Sequence, residues 1–185
     1  FIRILKRAGL PLKYSQGFNP RPKIVFGLPL SVGMEGENEL VDVSLTEELS
    51  CSEVKERLAK AVPEEICIKD VSYPEIKMKN IEYAVYDVVF YDFHADTAKV
   101  SEVLKNPPPV SKHTKSGEKL ADIAPMIKSW SVQIVGEDTR LTLTLTAYDS
   151  MYLKPDYVVD SLNSAGLCLP DNYSVTRTKI IFKEI

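Results

Sequence analysis

Long hydrophobic runs and glycine-rich phosphate-binding motifs are missing from this sequence. No apolar run reaches the roughly 18–20 residues that a membrane-spanning helix needs, and no charged start followed by an apolar centre marks a signal peptide. Neither G-x-x-x-x-G-K-[ST] nor G-x-G-x-x-G occurs in the 185 residues, so a phosphate loop of either type is excluded. These absences favour a cytoplasmic protein that is not held in a membrane.

Cysteine and histidine are scarce. The three cysteines, Cys51, Cys67 and Cys168, are too few and too scattered for a disulfide framework. Cys67 and Cys168 stand in apolar runs, which predicts that both are buried as small hydrophobic residues. The two histidines, His94 and His113, are distant in sequence from every cysteine. Because a zinc site needs four ligands with short paired spacings, neither a metal nor a cofactor is predicted.

Acidic residues are absent from the first 34 positions, although the whole chain has a net charge of −3. That segment carries six cations, so the remainder has a net charge of −9. Such asymmetry predicts a local anion-binding face on an otherwise acidic body. Three of the cations share one face of a predicted N-terminal helix, and the full set is Arg3, Lys6, Arg7, Lys13, Arg21 and Lys23.

The stretch YSQGFNPRPK at residues 14–23 combines turn residues, aromatic rings and cations. Gly17 permits a positive φ, and Pro20 and Pro22 make the segment rigid and extended. Two interpretations stay open. The stretch is either a chain reversal with Phe18 in the core, or a surface on which aromatic rings stack on bases while cations hold phosphates. On the second interpretation the binding residues are the six cations together with Tyr14, Gln16, Gly17, Phe18 and Asn19.

Apolar periodicity predicts helix, strand, strand, helix and strand in the first part of the chain. The strands fall at residues 22–32, 39–47 and 65–73, and Ser50 with Glu53 forms a capping-box pattern that opens the second helix. One further strand before residue 1 would complete a βαββαβ unit, the ferredoxin-like order.

The second part repeats that order. A strand at 82–93, a helix at 95–105, a hairpin across residues 136–138, a helix between Pro155 and Gly166 and a strand at 172–182 are predicted. Trp130 is expected in the core, and Arg177 is expected to be a solvated strand arginine. The predicted class is α+β, with two tandem ferredoxin-like units. These units are residues 1–76, incomplete at the N-terminus, and residues 77–185.

The block RAGLPLKYSQGFNPRPK, residues 7–23, with Gly33 resembles the radical-SAM-linked protein family of uncharacterised bacterial domains. Lys112, Lys115, Lys119 and Asp122 resemble the weaker second signature of that family. The resemblance implies that a strand and the start of a helix precede residue 1. It further implies a radical S-adenosylmethionine (SAM) enzyme as partner, and work on RNA or the translation apparatus. Since Cys51 and Cys67 are separated by fifteen residues, this chain alone cannot hold the C-x-x-x-C-x-x-C cluster of such an enzyme.

Three functional hypotheses follow. The first is a non-catalytic RNA-binding or substrate-presenting module, which uses the N-terminal cations and the basic residues Lys112, His113 and Lys115. The second is a metal-independent RNA-processing or RNA-modifying enzyme, in which His113, Lys115 or Asp122 acts in acid–base chemistry. For Asp122 a helix-capping role is favoured over a catalytic one, and catalytic residues are otherwise not assigned. The third is a protein-docking scaffold.

Overall fold

A computed structural model describes residues 1–114, 117–148 and 151–183. The chain divides into two compact units: residues 1–27 with 40–78, and residues 28–39 with 79–185. The single boundary predicted after residue 76 stays a prediction. The chain is α+β, as the sequence predicts, and the tandem ferredoxin-like arrangement is not confirmed.

The first unit contains two helices and a small antiparallel sheet in its described residues. Helix α1 spans Ile2–Arg7 and α2 spans Cys51–Ala59, while strand β1 (Ile24–Phe26) pairs with β3 (Val41–Val43). A leucine cluster forms the core beneath these elements, and its buried members are Leu5, Leu10, Leu12 and Leu58.

The strand predicted at residues 65–73 is wrong. These residues are all described and form no strand. Ile68 and Val71 nevertheless pack against the leucine cluster, which accounts for their apolar spacing without a hydrogen-bonded ladder. Cys67 belongs to the same irregular segment and is exposed, so its predicted burial is also wrong.

The second unit is built on a five-stranded sheet. Four long strands form most of it: β4 (Ile81–Phe90), β7 (Ile127–Val135), β8 (Asp138–Thr146) and β9 (Tyr173–Phe182). Their pairings are all antiparallel. The two-residue strand β2 (Glu35–Gly36) is added in parallel beside β9, so the order across the sheet is β2-β9-β4-β8-β7.

Two helices and a short hairpin connect these strands. Helix α3 spans Thr97–Lys105, and α4 spans Pro155–Ser164 with the predicted proline at its start and Gly166 at φ 82° after its end. The hairpin pairs β5 (Val110–Thr114) with β6 (Gly117–Ala121). The predicted β7–β8 hairpin is confirmed.

Alternation along the strands puts one face of the sheet into the core of the second unit. Leu141, Leu143 and Leu145 are buried as predicted, whereas Trp130 is only half-buried. Cys168 lies in the loop after α4 with φ 54° and is exposed, so the prediction of its burial is wrong.

In the described part of the chain no helix is long and apolar enough to cross a membrane.

Candidate functional site

Residues 13–23 fold back on themselves as a braced two-stranded ribbon, called here the basic ribbon. The amide of Lys23 donates to the Lys13 carbonyl over 2.7 Å, and that of Ser15 donates to the Arg21 carbonyl over 2.8 Å. The Arg21 amide in turn donates to the Ser15 hydroxyl over 3.0 Å. Tyr14 forms a bridge with Pro22. The backbone of this loop is therefore fixed by its own hydrogen bonds.

The tip of the basic ribbon presents an aromatic ring to solvent. Phe18 is fully exposed, so the interpretation in which it fills the core is wrong. Gly17 beside it has φ 120°, a conformation that side chains with a Cβ rarely adopt. Gln16 and Asn19 are exposed on either side of this pair. A phenylalanine gains roughly 2 kcal/mol from full burial, and Phe18 has none of it in the isolated chain.

Three cations share one face of the basic ribbon. Successive side chains of an extended strand point to opposite faces, and the Tyr14–Pro22 bridge places residues 13 and 23 opposite each other. Lys13, Arg21 and Lys23 consequently lie on the face away from Tyr14 and Pro22, and all three are exposed. This face carries a charge of +3 on the same loop as the exposed ring of Phe18.

The helix cations form a separate group. Arg3, Lys6 and Arg7 are exposed on α1. The Lys6 ammonium lies 6.0 Å from the centre of the Tyr14 ring, and the Arg7 guanidinium donates to the Ala61 carbonyl. The six N-terminal cations therefore fall into two sets of three, one on α1 and one on the basic ribbon.

No carboxylate in the described part of the chain forms an ion pair with any of these six cations. Helix α2 behaves differently, because its cations are engaged. Lys55 pairs with Asp70, Arg57 with Glu53 and Lys60 with Glu56, at 3.8, 2.5 and 2.6 Å. Residues 1–34 contain no acidic residue, and the fold brings no carboxylate from the rest of the described chain into an ion pair with their cations. The binding role of these residues stays a prediction.

The second basic stretch is only partly described. The Lys112 ammonium lies 5.3 Å from the centre of the Tyr157 ring and 3.5 Å from the Met126 sulfur, and burial lowers the pKa of Lys112. The side chain of His113 and the whole of Lys115 lie outside the described residues. A binding role for these three residues stays a prediction.

Asp122 acts as a backbone acceptor. Its carboxylate accepts a hydrogen bond from the Ala124 amide over 2.9 Å, at the start of the 3₁₀ turn Ala124–Met126. Asp122 lies one residue before the N-cap position, Ile123, which has no side-chain cap hydrogen bond, so the capping role of Asp122 stays a prediction. Among the described residues, no group of three or more His, Cys, Asp or Glu side chains is arranged to hold a metal ion.

A buried arginine in the second unit is the main feature that the sequence did not predict. Arg177 is 1% exposed, so the expectation of a solvated strand arginine is wrong. Its Nε donates to Glu39 over 2.9 Å, and its Nη2 donates to the other Glu39 oxygen and to the Leu28 carbonyl. Burial alone would lower the pKa of Arg177, and the Glu39 carboxylate together with Tyr86 more than offsets that effect. The guanidinium therefore attaches residues 28–39 to strand β9.

Two buried polar atoms beside this ion pair have no hydrogen-bond partner among the described residues: Arg177 Nη1 and the Tyr86 hydroxyl. Burial is the largest cause that raises the pKa of Tyr86, nearby Tyr152 adds to it, and Arg177 opposes it. The sequence contains only a weak indication that Arg177 is buried. Arg177 is two residues after the buried Val175 on β9, so both side chains belong to the same face of the sheet. Glu39, its partner, is 138 residues away along the chain.

The sequence matches a bacterial family over residues 1–155, which is most of the chain. This family is described as an uncharacterized protein conserved in bacteria, DUF2344. The chain therefore belongs to DUF2344. No curated protein matches the sequence.

Proposed function

We propose that this chain is a non-catalytic RNA-binding or substrate-presenting module whose contact surface is the basic ribbon. The observation that carries the proposal is the fully exposed Phe18 at the tip of a hydrogen-bonded loop. Single-stranded nucleic acid is held by aromatic rings that stack on bases and by cations that follow the phosphates. The ribbon offers both groups within residues 13–23.

Each element of the ribbon has a separate task in this proposal. Phe18 stacks on an unpaired base, and the Asn19 amide bonds to a base edge or the sugar–phosphate backbone. Lys13, Arg21 and Lys23 neutralise phosphates, and no carboxylate among the described residues competes for them. A loop with a fixed backbone loses little conformational entropy when it binds.

Truncation of Phe18 tests the proposal. Phe18→Ala should weaken binding of a fluorescently labelled single-stranded RNA by about 5- to 150-fold, because one base–aromatic stack contributes about 1–3 kcal/mol. Fluorescence anisotropy at low salt gives the dissociation constants. The matched control is Val32→Ala, which removes another fully exposed apolar side chain and should leave the affinity unchanged.

Two results would contradict the RNA proposal. One is wild-type protein that binds no RNA at low salt, and the other is equal affinity of the Phe18 and Val32 variants. A protein partner that co-purifies through the ribbon after nuclease treatment and at high salt would support the docking-scaffold hypothesis in its place.

The proposed partner is a radical SAM enzyme, and the cytoplasm is the proposed compartment. Support for the partner comes from the sequence resemblance of residues 7–23. Affinity purification from native cells, divided into nuclease-treated and untreated halves, tests it. Loss of that enzyme from both halves would remove it as a partner.

We also infer that the second unit has the ferredoxin-like fold. The order β9-β4-β8-β7, with α3 and α4 as connections, supports this assignment. For the first unit the same assignment rests on the order of helices and strands that the sequence predicts. An experimental structure that includes any residues before Phe1 would test the tandem arrangement.

A further inference from the structure

One face of the five-stranded sheet carries a depression of about 600 Å³ near the first residues of β4. Alternation sends Ala84, Tyr86 and Val88 into the core, and Tyr83 belongs to the other face. The depression crosses all four long strands of the sheet. Its volume is within the range of small-ligand sites, about 300–1,000 Å³.

Two β-bulges shape this end of the sheet. Between Ile81 and Tyr83 strand β4 advances two residues while β9 advances one, so Glu82 is an extra residue. Between Ile127 and Ser129 strand β7 has the extra residue Lys128 in the same way. Both extra residues line the depression. Bulges redirect side chains and are frequent beside functional sites.

The lining combines two aromatic rings, two ammonium groups and three hydroxyls. The Lys128 ammonium lies 5.6 Å from the centre of the half-buried Tyr83 ring, and Lys183 is exposed at the rim. Within the described residues the hydroxyls of Ser129 and Thr144 make no side-chain hydrogen bond, and neither ammonium forms an ion pair.

We infer that this depression binds one nucleotide of a single-stranded RNA, a second contact beyond the basic ribbon that rests on the RNA-binding function proposed above. The base stacks on Tyr83, where it replaces the Lys128 ammonium over the ring. Lys128 then turns to the phosphate together with Lys183. Stacking and charge neutralisation are the two contributions to single-strand affinity that depend little on the base sequence of the RNA.

The remaining lining residues limit which ligand fits. Glu82 is the acidic residue of the lining, and with the two lysines it gives the lining a net charge of +1, which matches the single negative charge of one phosphodiester. Its carboxylate accepts hydrogen bonds from the amino groups of bases. Ile181 and Phe182 supply apolar contact at the β9 side. A free mononucleotide has the same chemistry, so the experiment includes it as a separate arm.

Photo-crosslinking of the full chain tests the inference. A single-stranded RNA that carries 4-thiouridine is irradiated with the protein, and crosslinked peptides are mapped by mass spectrometry. Crosslinks should occur in the peptide that contains residues 81–83 and be lost when excess unlabelled RNA competes. Uridine monophosphate at the same nucleotide concentration should compete at least tenfold less well than the strand.

Tyr83→Ala provides the second measurement. Its affinity for the same RNA should fall by about 5- to 150-fold, as expected for one lost stack. Tyr73→Ala, which removes a tyrosine that is 65% exposed in the first unit, should leave the affinity unchanged. Thermal unfolding of both variants identifies any loss of folded protein. If Tyr83→Ala does not fold, the crosslinking of the wild-type protein alone tests the inference.

The outcomes separate the two proposals. Crosslinks confined to residues 14–23 would overturn the second site and leave the basic ribbon intact. Crosslinks at residues 81–83 alone would support the second site and contradict the ribbon. Competition by the mononucleotide equal to that of the strand would overturn the RNA assignment, and an absence of RNA binding would overturn both.

Discussion

Arg177 shows what a single buried cation requires from its surroundings. A guanidinium at 1% exposure needs an opposite charge and hydrogen-bond acceptors, and Glu39 and the Leu28 carbonyl supply them. One nitrogen, Nη1, still lacks a partner among the described residues, as does the Tyr86 hydroxyl. This cluster fixes residues 28–39 on the sheet, yet it holds polar groups that are not fully satisfied.

Replacement of Tyr86 by phenylalanine should therefore not destabilise the protein. A buried hydroxyl without a hydrogen bond contributes nothing favourable, so Tyr86→Phe is expected to raise the free energy of unfolding by up to about 1 kcal/mol at pH 7. Urea denaturation measures it. The control is Tyr173→Phe, which removes a hydroxyl that donates to Asp156 over 3.1 Å and should lose about 1 kcal/mol.

The same substitution has a pH signature. Because burial raises the pKa of Tyr86, the folded state keeps its proton above pH 10, where an unfolded tyrosine ionises. The unfolded state then binds fewer protons, and wild-type stability falls as the pH rises through that range. The advantage of Tyr86→Phe should grow above about pH 10, and an advantage that is constant with pH would contradict this account.

At the scale of elements, the start of helix α2 shows half of the predicted capping box. The Ser50 hydroxyl accepts a hydrogen bond from the Glu53 amide over 3.2 Å. The Glu53 carboxylate does not complete the pattern, because it pairs with Arg57 at 2.5 Å one turn further along. The cap therefore depends on the serine alone.

Ser50→Ala should lower the stability of the protein by about 1 kcal/mol, the usual effect of losing an N-cap acceptor. Chemical denaturation followed by circular dichroism measures the change. Ser50→Asp retains a capping oxygen and should keep wild-type stability. Equal losses in both variants would show that the hydroxyl, rather than the cap, is what matters at this position.

Elements whose signals are local were predictable from the sequence. The β7–β8 hairpin, the Ser50 cap and the limits of α4 each depend on residues that are neighbours in the chain. The failed strand at residues 65–73 had the apolar spacing of a strand, but Ile68 and Val71 satisfy it by packing on the leucine cluster. The spacing of apolar residues indicates which side chains are buried, but it does not indicate whether a partner strand is present.

The candidate site was likewise predictable only in its local features. Composition and turn residues predicted a rigid cationic segment at residues 14–23. They did not decide whether Phe18 points inward, and they did not predict that the cations divide between helix α1 and one face of the ribbon. Arg177 was missed because its partner Glu39 is 138 residues away, a distance at which residue spacing carries no information.

At the scale of the whole molecule, the charge is divided unevenly between the two units. All six N-terminal cations belong to the first unit, which has a net charge of +2, and the second unit has −5. The proposed binding of a polyanion therefore depends on a local group of cations, because the net charge of the whole chain does not favour it. Binding that depends on such a group must respond to salt in proportion to the phosphates that it neutralises.

Removal of the three ribbon cations should accordingly change the salt dependence of RNA binding. The slope of log affinity against log salt should become shallower by about 2, since each neutralised phosphate of a single strand contributes about 0.7. Anisotropy titrations at several salt concentrations measure the slope for the triple glutamine variant, in which the substituted residues are Lys13, Arg21 and Lys23.

A control variant with the same loss of charge distinguishes local contact from net charge. It replaces three exposed lysines outside the ribbon by glutamine, namely Lys60, Lys77 and Lys105. If phosphates contact the ribbon, this control keeps the wild-type slope, because these lysines neutralise no phosphate. An equal reduction in both variants would mean that RNA responds only to the overall charge of the protein, and the basic ribbon would then not be the binding surface.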